Sequence, residues 1–113
     1  MGKKTKNQIV FIGRWVKEKG IMFLLEAFRG AKNKIPSLTL NLIGQGPLEE
    51  AMRNYVKDNI ISSVNFIGFA KSDALTRYFA RANFLSILQS QLSVGRNRLE
   101  RLICNHFLAL RRF

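Results

Sequence analysis

Four short apolar runs, rich in β-branched or aromatic residues, alternate along this chain with longer segments whose apolar residues recur at helical spacing. The runs are Ile9–Ile12, Leu38–Ile43, Val64–Ile67 and Phe84–Leu88, and each reads as a strand. After the first run, Phe23, Leu24, Ala27, Phe28 and Ala31 build one apolar helix face, with Glu26, Arg29 and Lys32 pointing elsewhere. Pro36 and Ser37 then break the chain before the second strand. A second helix is expected from Pro47, because proline suits the first helical position, with Ala51, Met52, Tyr55 and Val56 as its buried stripe. A third is expected from Ser72, a good N-cap, with Leu75, Tyr78, Phe79 and Ala82 as its apolar positions. Strand and helix alternating four times require an α/β fold: a Rossmann-like parallel sheet with helices on both faces, in the order β-α-β-α-β-α-β-α. The 113 residues suffice for one domain with one modest core, and no repeat, linker or low-complexity segment divides them.

In open parallel sheets, ligands sit beyond the carboxyl ends of the strands, so the turns that follow strands carry the functional candidates. The first is Gly13-Arg14-Trp15-Val16-Lys17-Glu18-Lys19-Gly20. Arg14 directly follows a strand, and Lys19 lies at the start of a helix, whose N-terminus adds partial positive charge and free N–H groups. A guanidinium fork and a mobile ammonium together suit a diphosphate. A solvated basic loop accounts for the same residues, since the chain holds 19 Lys and Arg and chance pairs are common. The second turn is Ile43-Gly44-Gln45-Gly46-Pro47-Leu48-Glu49-Glu50. Its Gly-x-Gly opens like a dinucleotide fingerprint, but the third glycine position is Glu49. Two acidic residues there oppose a pyrophosphate, so these glycines are expected to serve close backbone packing or approach to a ligand.

Composition narrows the partners. A net charge of +12 and a pI near 10.8 point to anions: nucleic acid, phosphate ligands or an acidic membrane surface, or else to a plain lysine-rich exterior. Cys104 is the only cysteine, which excludes an intramolecular disulfide and fits a reducing, cytosolic setting. His106 is the only histidine, and Cys-x-His alone is not a metal-ligand set, so both are expected to pack at the end of an apolar segment. No apolar run approaches the ~20 residues of a transmembrane helix. No long apolar stretch follows the basic start Met1–Lys6, so no signal peptide is expected.

Taken in order, "FIGRWVKEKG", "FLLEAFRGAKNKIPSLTLNLIGQGP", "VNFIGF" and "YFARANFLSILQS" resemble the donor-binding C-terminal domain of the retaining GT-B glycosyltransferases of family 4, the "group 1" type. The likeness runs from about Gln8 to Ser90. It implies a bound nucleotide-diphosphate sugar, UDP- or GDP-linked, with no further cofactor and no metal. Arg14 and Lys19 match the pair that grips the donor diphosphate. Cations there would stabilise charge building on the departing nucleotide more in the transition state than before it. Gly13, Gly44 and Gly46 match the glycines of the two turns. The segment Phe66, Ile67, Gly68 and Phe69 matches the one bordering the nucleotide base. Beyond Ser90, Gly95 and Glu100 keep the family's glycine-to-glutamate spacing, so Glu100 matches the glutamate that holds the ribose. Eight positions earlier, where the family has another glutamate near the transferred sugar, stands Leu92, with Ser93 beside it.

The organisation implied is a basic arm over residues 1–7, a nucleotide-sugar-binding domain over 8–90, and a divergent, truncated C-terminal segment over 91–113. The implied activity is hexose transfer to a glycan or lipid-linked acceptor, in cell-envelope polysaccharide or lipopolysaccharide synthesis. The chain is expected not to complete this alone, because the first glutamate and the acceptor domain are missing. No catalytic residue is therefore assigned, and a separate N-terminal half-domain is an expected partner. The expected location is cytoplasmic, with peripheral attachment to the inner face of an anionic membrane through Lys3, Lys4, Lys6 and the arginine-rich end. The alternative is a basic nucleic-acid-binding α/β module without enzymatic activity, motivated by the arginines at 96, 98, 101, 111 and 112. No recognised nucleic-acid motif appears, so sequence-specific binding is not expected.

Overall fold

The computed structural model describes residues 7–16, 20–68 and 83–110. Its strands are β1 (Asn7–Ile12), β2 (Leu38–Ile43), β3 (Val64–Ile67) and β4 (Asn83–Ile87). They form one parallel sheet in the order β3-β2-β1-β4. Its α-helices are α1 (Ile21–Lys34), α2 (Glu49–Asp58) and α3 (Arg96–Leu110), and a 3-10 helix spans Gln89–Val94. The third helix expected from Ser72 lies outside the described residues.

Alternation along the strands sorts the side chains onto two faces. Leu38, Leu40 and Leu42 of β2 join Ile9 and Phe11 of β1 on one face, all essentially sealed from solvent. Against this face α1 sets Leu24, Leu25, Ala27, Phe28 and Ala31, α2 adds Met52, and α3 adds Leu99, Ile103 and Phe107. On the other face Val10 and Ile43 form a smaller cluster with Ile67. That face also carries an amide relay, buried at Gln8 and Asn41 and open to solvent at Asn65: Asn41 Nδ2 donates to Gln8 Oε1 at 2.6 Å, and Asn65 Nδ2 donates to Asn41 Oδ1 at 3.0 Å. The relay links β1, β2 and β3 side chain to side chain.

Two helical faces differ from the pattern expected. In α1 the buried set is Ile21, Leu24, Leu25, Ala27, Phe28 and Ala31, while Phe23 is 43% exposed. The stripe is centred on Leu24, Phe28 and Ala31, and Phe23 falls on its margin. In α2, Met52 is buried and Leu48, Tyr55 and Val56 are partly so, but Ala51 is exposed. Pro47 lies in the turn before α2, which begins at Glu49. At the other end of α1, the Lys32 ammonium donates to the carbonyls of Pro36 and Leu38 at 2.9 and 2.8 Å, holding the turn into β2.

Residues 96–110 form an amphipathic helix packed along α1, with Cys104 6% exposed. His106 is half-buried, its ring 4.8 Å from that of Phe107 and edge-on to it. Leu92, in the 3-10 helix, is wholly buried in the main core. Among the described residues, no helix is long and apolar enough to cross a membrane.

Candidate functional site

At the carboxyl edge of the sheet the turns after β1 and β2 are stitched to each other. The Gly13 N–H donates to Ile43 O at 3.0 Å, and the Trp15 N–H donates to Gln45 O at 3.1 Å. The Leu48 N–H returns a bond to Trp15 O at 3.1 Å, and the Gly44 N–H donates to Ile67 O at 2.8 Å. Three strand ends thus share one hydrogen-bonded rim. So close an approach explains the glycines. A Cβ on Gly44 would meet the Gly13 carbonyl oxygen, and one on Gly46 would meet the Trp15 carbonyl oxygen and stand 2.8 Å from Trp15 N.

Trp15 fills the space beneath the rim and is 2% exposed. Its ring meets Phe66 of β3 edge-on, centroids 5.7 Å apart at 84°. The Arg53 guanidinium of α2 lies 4.4 Å from the Phe66 ring centroid, and Arg53 Nε donates to Glu49 Oε2 at 2.9 Å. The buried Trp15 Nε1–H has no hydrogen-bond partner among the described residues. Sequence reasoning passed over this residue. The available signal was a solitary tryptophan inside a polar, glycine-bounded turn, where no helical or strand periodicity requires a large ring.

Arg14 stands between the two pinned residues, and its exposed side chain makes no hydrogen bond or ion pair among the described residues. Its main chain is therefore fixed on both sides, while its guanidinium faces solvent at the rim. Lys19 and Phe69 lie outside the described residues. Gly68 follows β3 at the same edge and is exposed, with nothing within 4 Å of a Cβ placed on it. Phe66 is partly buried, and its ring is engaged by Trp15 on one side and Arg53 on another. The helix ends at this edge differ electrostatically. The first turn of α1 contains no acidic residue, whereas that of α2 carries Glu49 and Glu50, which oppose an anion.

Glu100 is not brought to these turns. It sits in α3 against the second half of α1, its carboxylate crowding Gly30 and pairing with the Lys34 ammonium at 3.6 Å. Because α1 runs back from the rim toward the start of β2, Lys34 marks the opposite edge of the sheet. Glu100 also lines a cavity of about 230 Å³ with Glu26, Arg29 and Arg96, between helices rather than above strands. The spacing from Gly95 implies a ribose contact, and the side chains beside Glu100 are those of α1. The register of a helix along the chain does not determine where that helix crosses its neighbour.

A parallel sheet with glycine turns interlocked above its carboxyl edge defines an α/β domain of the Rossmann-like class. Within that class the chain belongs to the glycosyl transferases group 1 family, whose model matches residues 2–104. It is 24% identical over 96 residues to the uncharacterized glycosyltransferase MJ1178 of Methanocaldococcus jannaschii, covering 85% of this chain and 26% of that protein. Two solved structures share the fold. One is the pneumococcal O-GlcNAc transferase GtfA in complex with UDP and GlcNAc, at TM-score 0.57 and 22% identity over 66% of this chain and 14% of that one. The other is a mutant of S. aureus TarM in complex with Fondaparinux, alpha-GlcNAc-glycerol and UDP, at TM-score 0.59 and 20% identity over 74% and 16%. The chain thus spans about a quarter of the length of the curated relative and less of the solved ones.

Proposed function

We propose that this chain carries the donor-diphosphate grip of a glycosyltransferase and binds a nucleotide-diphosphate sugar at the rim above β1, β2 and β3. The observation that supports this most directly is Arg14: an exposed guanidinium on a main chain pinned on both sides, at the carboxyl edge of the sheet in a group 1 family domain. Arg14 takes the diphosphate, with Lys19 as its partner. The departing nucleoside diphosphate gains negative charge as the sugar–phosphate bond breaks, and fixed cations at that point stabilise the charge without reorganising.

Gly13, Gly44 and Gly46 serve the site by letting the turns meet. Phe66, Gly68 and Phe69 border the base. A UDP-linked donor is the reading favoured by GtfA and TarM, both solved with UDP. Transfer to a glycan or lipid-linked acceptor requires the remainder of such an enzyme. The exposed Arg96, Arg98 and Arg101 of α3 suit approach to an anionic membrane from the cytoplasmic side. The nucleic-acid reading gains no support from the family assignment.

Calorimetric titration of the full chain with UDP tests the grip. Wild type should bind, and the Arg14→Ala, Lys19→Ala double variant should bind at least about tenfold more weakly. Equal affinity in the two would remove the assigned role.

A further inference from the structure

We infer that Trp15 is the positioning residue of the diphosphate grip, and that as the chain's only tryptophan it reports occupancy of the rim. The inference rests on the reading of Arg14 as a diphosphate ligand and adds what holds Arg14 in place. A long side chain on a mobile loop loses freedom when it engages a ligand, and that loss subtracts from affinity. Here the main chain on either side of Arg14 is already hydrogen-bonded, at Gly13 and at Trp15.

Trp15 holds the main chain there through both its backbone and its ring. Its N–H and carbonyl bond to Gln45 O and the Leu48 N–H. Its backbone lies against Gly46, where no side chain intervenes. Its Nε1 lies 3.3 Å from the position of a Cβ on Gly44. Its ring edge meets Phe66, which Arg53 covers in turn. The two turns and the end of β3 therefore share a single buried side chain, and one residue before it the guanidinium emerges into solvent. The indole N–H takes part in no hydrogen bond among the described residues, so the ring's bulk and edge contact carry the role, not its polarity.

Merely structural packing would weaken every ligand alike when lost. A positioning role weakens ligands in proportion to their phosphates. The full chain, wild type and with Trp15→Ala or Trp15→Phe, is titrated by calorimetry with UDP, inorganic pyrophosphate and uridine. Expected for Trp15→Ala is a loss of about tenfold or more for UDP and pyrophosphate and a clearly smaller loss for uridine, whose base Phe66 borders, while Trp15→Phe stays within about twofold of wild type. Trp15→Ala binding UDP like wild type, or losing uridine in the same proportion, overturns the positioning role. Should Trp15→Ala fail to fold, wild-type tryptophan emission decides. It should change with UDP and with pyrophosphate, and emission that stays flat with pyrophosphate, or flat while calorimetry registers bound UDP, overturns the inference. Wild type that binds neither UDP nor pyrophosphate overturns the diphosphate reading itself, and this inference with it.

Discussion

Gly46 lies against the main chain of Trp15, so that a single added methyl group would collide with the Trp15 carbonyl. The same holds between Gly44 and the carbonyl of Gly13. The obstacle is backbone in both cases, and backbone cannot swing aside as a side-chain end can.

Gly44→Ala and Gly46→Ala should each destabilise the chain by about 2 kcal/mol or more, in the upper range for overpacking. Gly68→Ala, at the same sheet edge but in open space, should stay within about 0.5 kcal/mol of wild type. Denaturant unfolding of the three variants checks this. Equal stabilities would mean that the turns do not interlock.

Glu100 should prove indifferent to the donor. Its ion pair with Lys34 is largely exposed on the lysine side, and such pairs contribute about 0–1 kcal/mol. Glu100→Gln should leave UDP affinity within about twofold of wild type and stability within about 1 kcal/mol. Gly30→Ala should also be mild, because the atoms in its way are the end of the flexible Glu100 side chain and alanine favours the helix by about 1 kcal/mol. A large loss of UDP affinity in Glu100→Gln would restore the ribose role that its spacing implied.

Asn41 is 4% exposed and is the middle member of the relay between Gln8 and Asn65. Removing it takes a hydrogen-bond partner from the buried Gln8 amide and another from Asn65. Asn41→Ala should therefore cost about 1–3 kcal/mol, more than a lone exposed hydrogen bond would. Thermal unfolding of Asn41→Ala beside Asn65→Ala, which removes only the outer member, should give the larger drop for Asn41.

Burial raises the Cys104 thiol above its ordinary value; the nearby Lys34 ammonium opposes this and Glu100 adds to it. The folded state therefore disfavours the thiolate that the unfolded chain forms. The contribution is complete below the unfolded thiol's pKa and is lost as pH rises through the folded one. Between about pH 8 and 10, wild type should lose more stability than Cys104→Val, in which no thiol titrates. Parallel pH profiles for the two would show that the thiol is not desolvated.

Much of this architecture was legible in the chain because strands buried in a parallel sheet must be short apolar runs. Leu38–Ile43 and Val64–Ile67 were located to the residue, and β1 and β4 to within two. The faces of α1 and α2 were legible only in part. Phe23 and Ala51 sit at the margins of their stripes, where periodicity alone does not separate core from surface. The glycine turns were readable as sites of close approach, since Gly-x-Gly after a strand has few other uses. Which atoms they approach was not readable: the Trp15 contact joins residues some thirty positions apart and repeats at no period. Glu100 shows the opposite hazard. Its spacing from Gly95 matched a family pattern, but the crossing of α3 over α1 carries the carboxylate to Gly30 and Lys34. Such crossings depend on the packing of whole helix surfaces, not on local order.

The central claim is that a diphosphate, not a base alone, engages the rim at Arg14. Phosphorus-31 NMR of UDP titrated with the full chain measures this at the atoms concerned. Both phosphorus resonances should shift or broaden with wild type and stay nearly unmoved with Arg14→Ala. Phosphorus signals that respond equally to wild type and Arg14→Ala, or to neither, would contradict it.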